Sequence, residues 1–161
     1  MTTAAPHRGV TDYTLTHAEM HRVAMVGVMR NLGALEAGRT HRHRYQGDGW
    51  SNHILGAAGE FCVARWAGIL WRPALDADEG HPDVGAYHVR TTAHAGGRLI
   101  VYRDDQDAAL FVLVTGQLPR FRLAGWAYGD EAKDPRWWDN TVRSPTFMVP
   151  QAHLRPMGTC P

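Results

Sequence analysis

The segment 50–64 constrains the fold most, because it has helical periodicity and almost no formal charge. It predicts a helix from about Ser51 to Gly68 that must be covered by other elements. Small residues along this helix let its backbone approach a sheet closely. Glu60 is the one formally charged residue in the segment 50–64, so we expect it near whatever the helix packs on. Two neighbouring stripes of the helix carry the pattern: Ile54, Ala57, Ala58, Phe61 and Cys62 on one, and Gly56, Glu60, Ala64 and Ala67 on the other.

An earlier helix is predicted from about His17 to Leu35, with Gly38 ending it. Thr16 and Glu19 have the spacing of a capping box, in which each side chain satisfies a free amide of the other residue. The predicted apolar face of this helix consists of Met20, Val23, Ala24, Val28, Leu32 and Leu35.

After Gly68 the pattern becomes typical of strands, which we expect near 69–72, 85–91, 98–102, 110–115, 121–128 and 147–149. Gly96-Gly97 is a candidate hairpin turn between two of them. Residues 130–140 are expected as a short helix or irregular flap. The predicted class is α+β, with two N-terminal helices packed on a mixed, mainly antiparallel sheet. The whole chain, 1–161, is expected to be one domain, with 1–13 as a flexible tail.

Composition narrows the function classes. The formal charge of +1 is not that of a strongly basic nucleic-acid binder, so any such site must come from local charge. No apolar run approaches the ~18 residues of a membrane span. The two cysteines do not form a disulfide framework and suggest a reducing, cytoplasmic setting.

Two local clusters are candidates for contact with nucleic acid. The first is basic and contains Arg39, Arg42 and Arg44, interleaved with histidines; a solvated loop is the alternative. In the second, Trp137-Trp138 stands beside Lys133 and Arg136, a combination that can stack the bases of single-stranded nucleic acid. Packing in the core or at its rim is the alternative for the tryptophans.

A third set of residues has the chemistry of a metal-assisted phosphodiester site. Glu60 and Asp83 supply the oxygens that Mg²⁺ prefers, and a divalent ion can polarise phosphate and generate hydroxide. Arg90, on the strand after the Asp83 turn, supplies a cation for phosphate charge. The alternatives are structural: an ion pair for Glu60, a plain turn residue at Asp83 and an ordinary strand residue at Arg90.

These residues resemble the PD-(D/E)XK nuclease superfamily. The likeness rests on Gly-x-x-Gly-Glu ending at Glu60, on Pro82-Asp83, and on the Val-Arg-Thr tripeptide at Arg90. It implies a restriction-endonuclease-like core over about 50–156, with Mg or Mn held by Glu60 and Asp83. The Ile-Val-x-x-Asp-Asp, Phe-Val-Leu-Val-Thr-Gly and Gly-Trp-x-x-Gly-x-x-x-Lys runs also resemble small phage- and prophage-type proteins of unassigned function.

Two positions depart from the family pattern. His88 stands where the family has its second metal carboxylate, and Arg90 where it has the lysine that activates water. Histidine suits softer ions better than Mg²⁺, and arginine stays protonated, although it can hold a phosphate. The leading hypothesis is therefore a metal-dependent nuclease with Glu60, Asp83, His88 and Arg90 as its catalytic residues. The alternative is a degenerate nuclease fold that binds nucleic acid or a protein partner.

Overall fold

The computed structural model describes residues 9–38, 48–75 and 80–161. Three short 3-10 helices, Pro135–Trp137, Gln151–His153 and Met157–Thr159, accompany the main elements. The predicted α+β class is confirmed. The helices and strands are, in chain order, β1 (Asp12–Thr14), α1 (His17–Glu36), α2 (Gly49–Ala67), β2 (Tyr87–Thr92), β3 (Leu99–Val101), β4 (Leu110–Gln117), β5 (Arg120–Tyr128), α3 (Gly129–Ala132), β6 (Trp138–Asp139) and β7 (Thr146–Val149).

Side-chain caps fix where the two long helices begin, and a glycine ends α2. The capping box at the start of α1 is confirmed, because Thr16 and Glu19 exchange hydrogen bonds with each other's backbone. The Asp48 carboxylate accepts bonds from the first free amides of α2. Gly68 ends α2 in the left-handed conformation, with φ of 69°, which glycine adopts without steric cost.

The strands form two sheets. The first has the order β1-β5-β4-β2; β2 runs parallel to β4, and the other neighbours are antiparallel. The second is antiparallel, in the order β3-β7-β6. The first sheet is therefore mixed and mainly antiparallel, as predicted.

Two expectations about the strands are wrong. Residues 69–72 form no strand: the Ile69 amide bonds back to Ala64 at the end of α2, and Trp71 is buried against the core. Trp71 packs edge-on against Phe61 of α2, with the ring centroids 5.3 Å apart, whereas Ile69 and Leu70 are exposed. Gly96-Gly97 does not close a hairpin between paired strands, because β2 and β3 belong to different sheets.

Helix α2 is the central element of the helical side. It lies between α1 and the first sheet, and most of its second half is buried. A Cβ added at Gly27 of α1 would lie 2.5 Å from backbone atoms of Ile54, so the two helices touch through this glycine. On the other side, Gly59 of α2 lies directly against Thr91 of β2. The expected close approach of α2 to a sheet is thus observed at Gly59.

The buried face of α1 differs from the predicted one. The structure buries Val23, Gly27 and Asn31, whereas Leu32 and Leu35 are exposed. The reason is the contact at Gly27, which turns that side of α1 toward α2. A side of the helix with larger apolar residues consequently faces outward.

The first sheet separates two apolar cores. Val112 and Val114 of β4 face α2 and belong to the larger core, which includes much of α2. Phe111 and Leu113 face the second sheet and belong to the smaller core. This alternation follows from the two-residue period of a strand and decides which side each residue of β2 occupies. No helix in the described part of the chain is both long and apolar enough to cross a bilayer.

Candidate functional site

Glu60 lies on α2, buried between the two helices and the segment that follows α2. Its carboxylate accepts two hydrogen bonds from Arg30 of α1, at 2.6 Å from Nη1 and 3.0 Å from Nη2. Trp71 Nε1 donates a third, longer bond at 3.4 Å. The residue is 6% exposed. Glu60 thus forms a buried ion pair across the helix–helix interface.

The electrostatics of Glu60 place Asp83 nearby. Burial raises the pKa of Glu60 above its ordinary value, since a carboxylate loses hydration in the interior. The bonds and charge of Arg30 act against this shift, and the Asp83 charge adds to it. Asp83 therefore lies within electrostatic reach of Glu60.

Asp83 organises the turn that leads into β2. Its backbone amide donates to the Tyr87 carbonyl at 3.0 Å, and its carboxylate accepts from the Val89 amide at 2.7 Å. Gly85 occupies the left-handed region at φ 59°, which the tight turn requires. Asp83 therefore has the structural turn role that was its alternative interpretation. The hydrogen bond from the Val89 amide uses one of its two carboxylate oxygens.

His88 lies on the side of β2 that faces the second sheet. Its neighbour in the parallel register is Phe111, and the two rings are 5.0 Å apart. Burial lowers the pKa of His88, while the nearby Asp83 charge opposes that change. Asp83 is thus within electrostatic reach of His88 as well as of Glu60.

Arg90 occupies the same side of β2, two residues further along. Its guanidinium bonds Asp105 Oδ2 at 3.0 Å and the Ile100 carbonyl at 3.2 Å. It also lies over the rings of Tyr102 and Phe111, at 5.7 and 5.1 Å from their centroids. Arg90 consequently ties the first sheet to β3 and the loop after it, and its charge is paired.

Glu60 and Arg90 therefore lie on opposite sides of the first sheet. The nuclease hypothesis requires Glu60, Asp83 and Arg90 to converge, and the structure does not meet this requirement. In strand β2, Val89 belongs to the α2 side, so Arg90 next to it must face away from α2. Asp83 lies before the strand begins and reaches charges on both sides. The structure brings Asp83 near Glu60 and near His88, but it does not assemble the four residues into one site.

A divalent ion does not fit this arrangement. Both oxygens of Glu60 accept bonds from Arg30, whose positive charge opposes a second cation. Asp83 offers one oxygen free of the Val89 amide. Within residues 9–38, 48–75 and 80–161, no three His, Cys, Asp or Glu side chains gather as a metal site would require. Mg or Mn remains a prediction of the family resemblance that these donors do not support.

We expect Mn²⁺ to leave the melting temperature of the protein unchanged, because no set of free oxygen ligands is available at Glu60 and Asp83. Thermal unfolding with and without Mn²⁺, for the parent and for Asp83→Ala, measures this. A ligand bound only by the folded state would raise the melting temperature. A rise in the parent that is lost in Asp83→Ala would revive the metal site.

The basic residues predicted to contact nucleic acid differ in their exposure to solvent and in their ion-pair partners. The Arg39, Arg42 and Arg44 cluster lies outside the described residues. The Lys133 ammonium bonds Asp107 at 2.7 Å and the Asp105 carbonyl, and its side chain is 16% exposed. Arg136 is 62% exposed and pairs with its near neighbour Asp134 at 3.1 Å. Of the last two cations, Arg136 is the one presented to solvent.

Arg136 borders a cleft of about 560 Å³ near the second sheet. The Trp137 ring lies 4.6 Å from the Arg136 guanidinium and 4.6 Å from the His153 ring. Arg155 also lines the cleft, positioned by backbone bonds to Trp126, and it pairs with Glu131. Sequence reasoning named Arg136 and Trp137 but missed His153 and Arg155. His153 and Arg155 are more than fifteen residues from Trp137 in the sequence, and no motif links them to it.

Comparisons with known proteins add no relative to this description. No protein-family model matches the chain, and no curated protein or solved structure matches it significantly. Membership of the PD-(D/E)XK superfamily therefore remains a prediction from the sequence motifs.

Proposed function

We propose that this chain is a non-catalytic binding protein for single-stranded nucleic acid, with the cleft beside Trp137 as its contact site. The observation that carries the proposal is the cluster of Arg136, Trp137 and His153 at that cleft, in which the Arg136 guanidinium and the His153 ring each lie 4.6 Å from the Trp137 ring. The proposal keeps the nucleic-acid partner predicted from the sequence. It sets aside metal-dependent cleavage, the other prediction.

Binding is favoured over cleavage because the residues of the nuclease hypothesis are already paired. Arg30 neutralises Glu60, and Asp105 neutralises Arg90. A phosphate stabilised by Arg90 would have to displace Asp105, and a metal held by Glu60 would have to displace Arg30. Each exchange leaves a largely buried charge without its partner, which costs several kcal/mol.

Nucleic acid is favoured as the ligand because the cleft combines aromatic side chains with exposed guanidinium groups. Unpaired bases stack on aromatic rings and on arginine planes, and arginine forks match phosphate oxygens. Arg136 and Arg155 are both accessible, and each is paired with one acidic neighbour on the surface. Surface pairs are weak, so a phosphate can replace the carboxylate at small cost.

The charge of the cleft predicts modest affinity. Three basic side chains, Lys133, Arg136 and Arg155, are balanced by three acidic ones, Asp130, Glu131 and Asp134. Long-range attraction is consequently small, and most of the binding free energy must come from stacking. We expect binding that weakens with salt, with a shallow slope because few phosphates are contacted.

The test is fluorescence anisotropy with labelled single-stranded DNA and RNA oligomers at two salt concentrations. Arg136→Glu should weaken binding by about tenfold or more, since one stacked base contributes roughly 1–3 kcal/mol. The matched control is Arg120→Glu, which makes the same charge change at an exposed position on β5. Equal losses in the two variants would mean that net charge alone controls binding and would contradict the cleft. Cleavage of the oligomers with Mg²⁺ or Mn²⁺ that Asp83→Ala abolishes would restore the nuclease hypothesis.

A further inference from the structure

The outer side of α1 carries four exposed apolar side chains. Met25, Met29, Leu32 and Leu35 are 48%, 47%, 45% and 63% exposed. Their spacing places them along one stripe of the helix, because residues three and four apart lie on the same face. The stripe extends about 15 Å along the axis at 1.5 Å per residue. Methionine-rich surfaces adapt to a packed partner, so this stripe has the composition of an interface.

A charged residue lies at each end of this stripe. Arg22 precedes it and Glu36 follows it, and the residue between them that carries a formal charge, Arg30, turns inward to Glu60. Arg22 is exposed and lies over the rings of Phe61 and Trp71. In the described part of the chain, neither Arg22 nor Glu36 forms a salt bridge.

We propose that this stripe pairs with the same stripe of a second copy of the chain, with the two α1 helices antiparallel. A two-fold axis beside Met29 brings Met25 against Leu32 of the partner. The same axis brings Arg22 opposite Glu36 of the partner, and the reverse pair forms at the other end. One operation thus covers the apolar residues and pairs both charges, as an isologous interface requires.

A second copy is favoured over an unrelated partner because the surface is complementary to itself. The cation and the carboxylate lie at nearly equal distances on either side of Met29, seven residues before and seven after it. Parallel pairing would instead place Arg22 beside Arg22 and Glu36 beside Glu36, and like charges disfavour that register. A single helix face is small beside the roughly 800 Å² per partner of standard interfaces, so the dimer should be weak.

Sedimentation velocity over a wide range of chain concentration tests the proposal. The parent should pass from monomer to dimer as the concentration rises. Arg22→Glu and Glu36→Arg should each raise the dissociation constant by about tenfold or more, because each places like charges across the axis. The variant carrying both changes should dimerise like the parent. An equimolar mixture of the two single variants should form a heterodimer, since both of its end pairs are then opposite in sign.

Two further variants separate a specific interface from general stickiness. Met29→Lys places a charge at the axis and should abolish the dimer without lowering the melting temperature, because this side chain is exposed in the monomer. Leu118→Lys makes a similar change at an exposed leucine between β4 and β5 and should leave dimerisation intact. A chain that stays monomeric at every concentration, or a dimer indifferent to the charge exchange, would overturn the proposal. The outcome is independent of nucleic-acid binding at the cleft.

Discussion

Replacing Gly59 with alanine is expected to lower the free energy of unfolding by about 3 kcal/mol, the upper end of the usual cost of overpacking. The added Cβ would lie far inside van der Waals contact with Thr91 Oγ1 and 3.0 Å from Thr91 Cβ. The β-branched threonine is stiff, and its hydroxyl already contacts the helix. Relief therefore requires α2 to move away from β2. That movement is opposed on the other side of α2, where α1 packs closely against it through Gly27.

Gly56 provides the matched control on the same helix. A Cβ at this position would meet no atom within 4 Å. Gly56→Ala should be neutral or should stabilise the protein by up to about 1 kcal/mol, because alanine is the better helix former. Urea unfolding of both variants measures the difference, and Thr91→Ala should partly rescue Gly59→Ala by removing the two nearest outer atoms. Similar free energies of unfolding for the two glycine variants would show that the helix–sheet contact tolerates a methyl group.

The sequence predicted the elements whose signals are local. Thr16 and Glu19 form a capping box wherever the rest of the helix packs, so the start of α1 was predictable. The apolar patterns at 110–115 and 121–128 likewise predicted strands, which the structure has as β4 and β5. Residues 69–72 also have a short apolar pattern, and period alone does not distinguish a strand from an irregular segment after a helix.

The candidate site depended on non-local contacts, which the sequence does not reveal. The partner of Glu60 is Arg30, thirty residues earlier, and neither residue carries a signal for the other. The partner of Arg90 is Asp105, in the loop after β3. The motif spacing placed Asp83, His88 and Arg90 in one short segment, but it did not say which side of the sheet α2 covers. That choice put Glu60 and Arg90 on opposite sides.

Removing either partner of the Arg30–Glu60 pair is expected to destabilise the protein strongly, because the other charge is left buried and unpaired. Glu60→Leu should lower the free energy of unfolding by about 3 kcal/mol or more, because Arg30 would remain charged and largely buried without a partner. Arg30→Met should cost less at acid pH, since Glu60 can take up a proton whereas arginine cannot lose one. The double variant Arg30→Met/Glu60→Leu should recover most of the loss, because apolar groups can replace both charges.

The control is the more exposed Glu19–Arg65 pair, at 3.0 Å. Arg65→Met removes one of its partners and should lower the free energy of unfolding by at most about 1 kcal/mol.

The pH dependence of the free energy of unfolding reports whether the Glu60 carboxyl is charged or protonated in the folded protein. The pKa of Glu60 is higher in the folded protein than its ordinary value of 4.5, because burial outweighs the pairing with Arg30. The folded state then binds the proton more tightly than the unfolded state. This contribution to stability is fully present below pH 4.5 and is lost as the pH rises through the folded pKa. Denaturant unfolding across that range should show the loss in the parent and not in the double variant. If Glu60→Leu alone were as stable as the parent at neutral pH, the ion pair would not be structural, and a functional reason for Glu60 would again be needed.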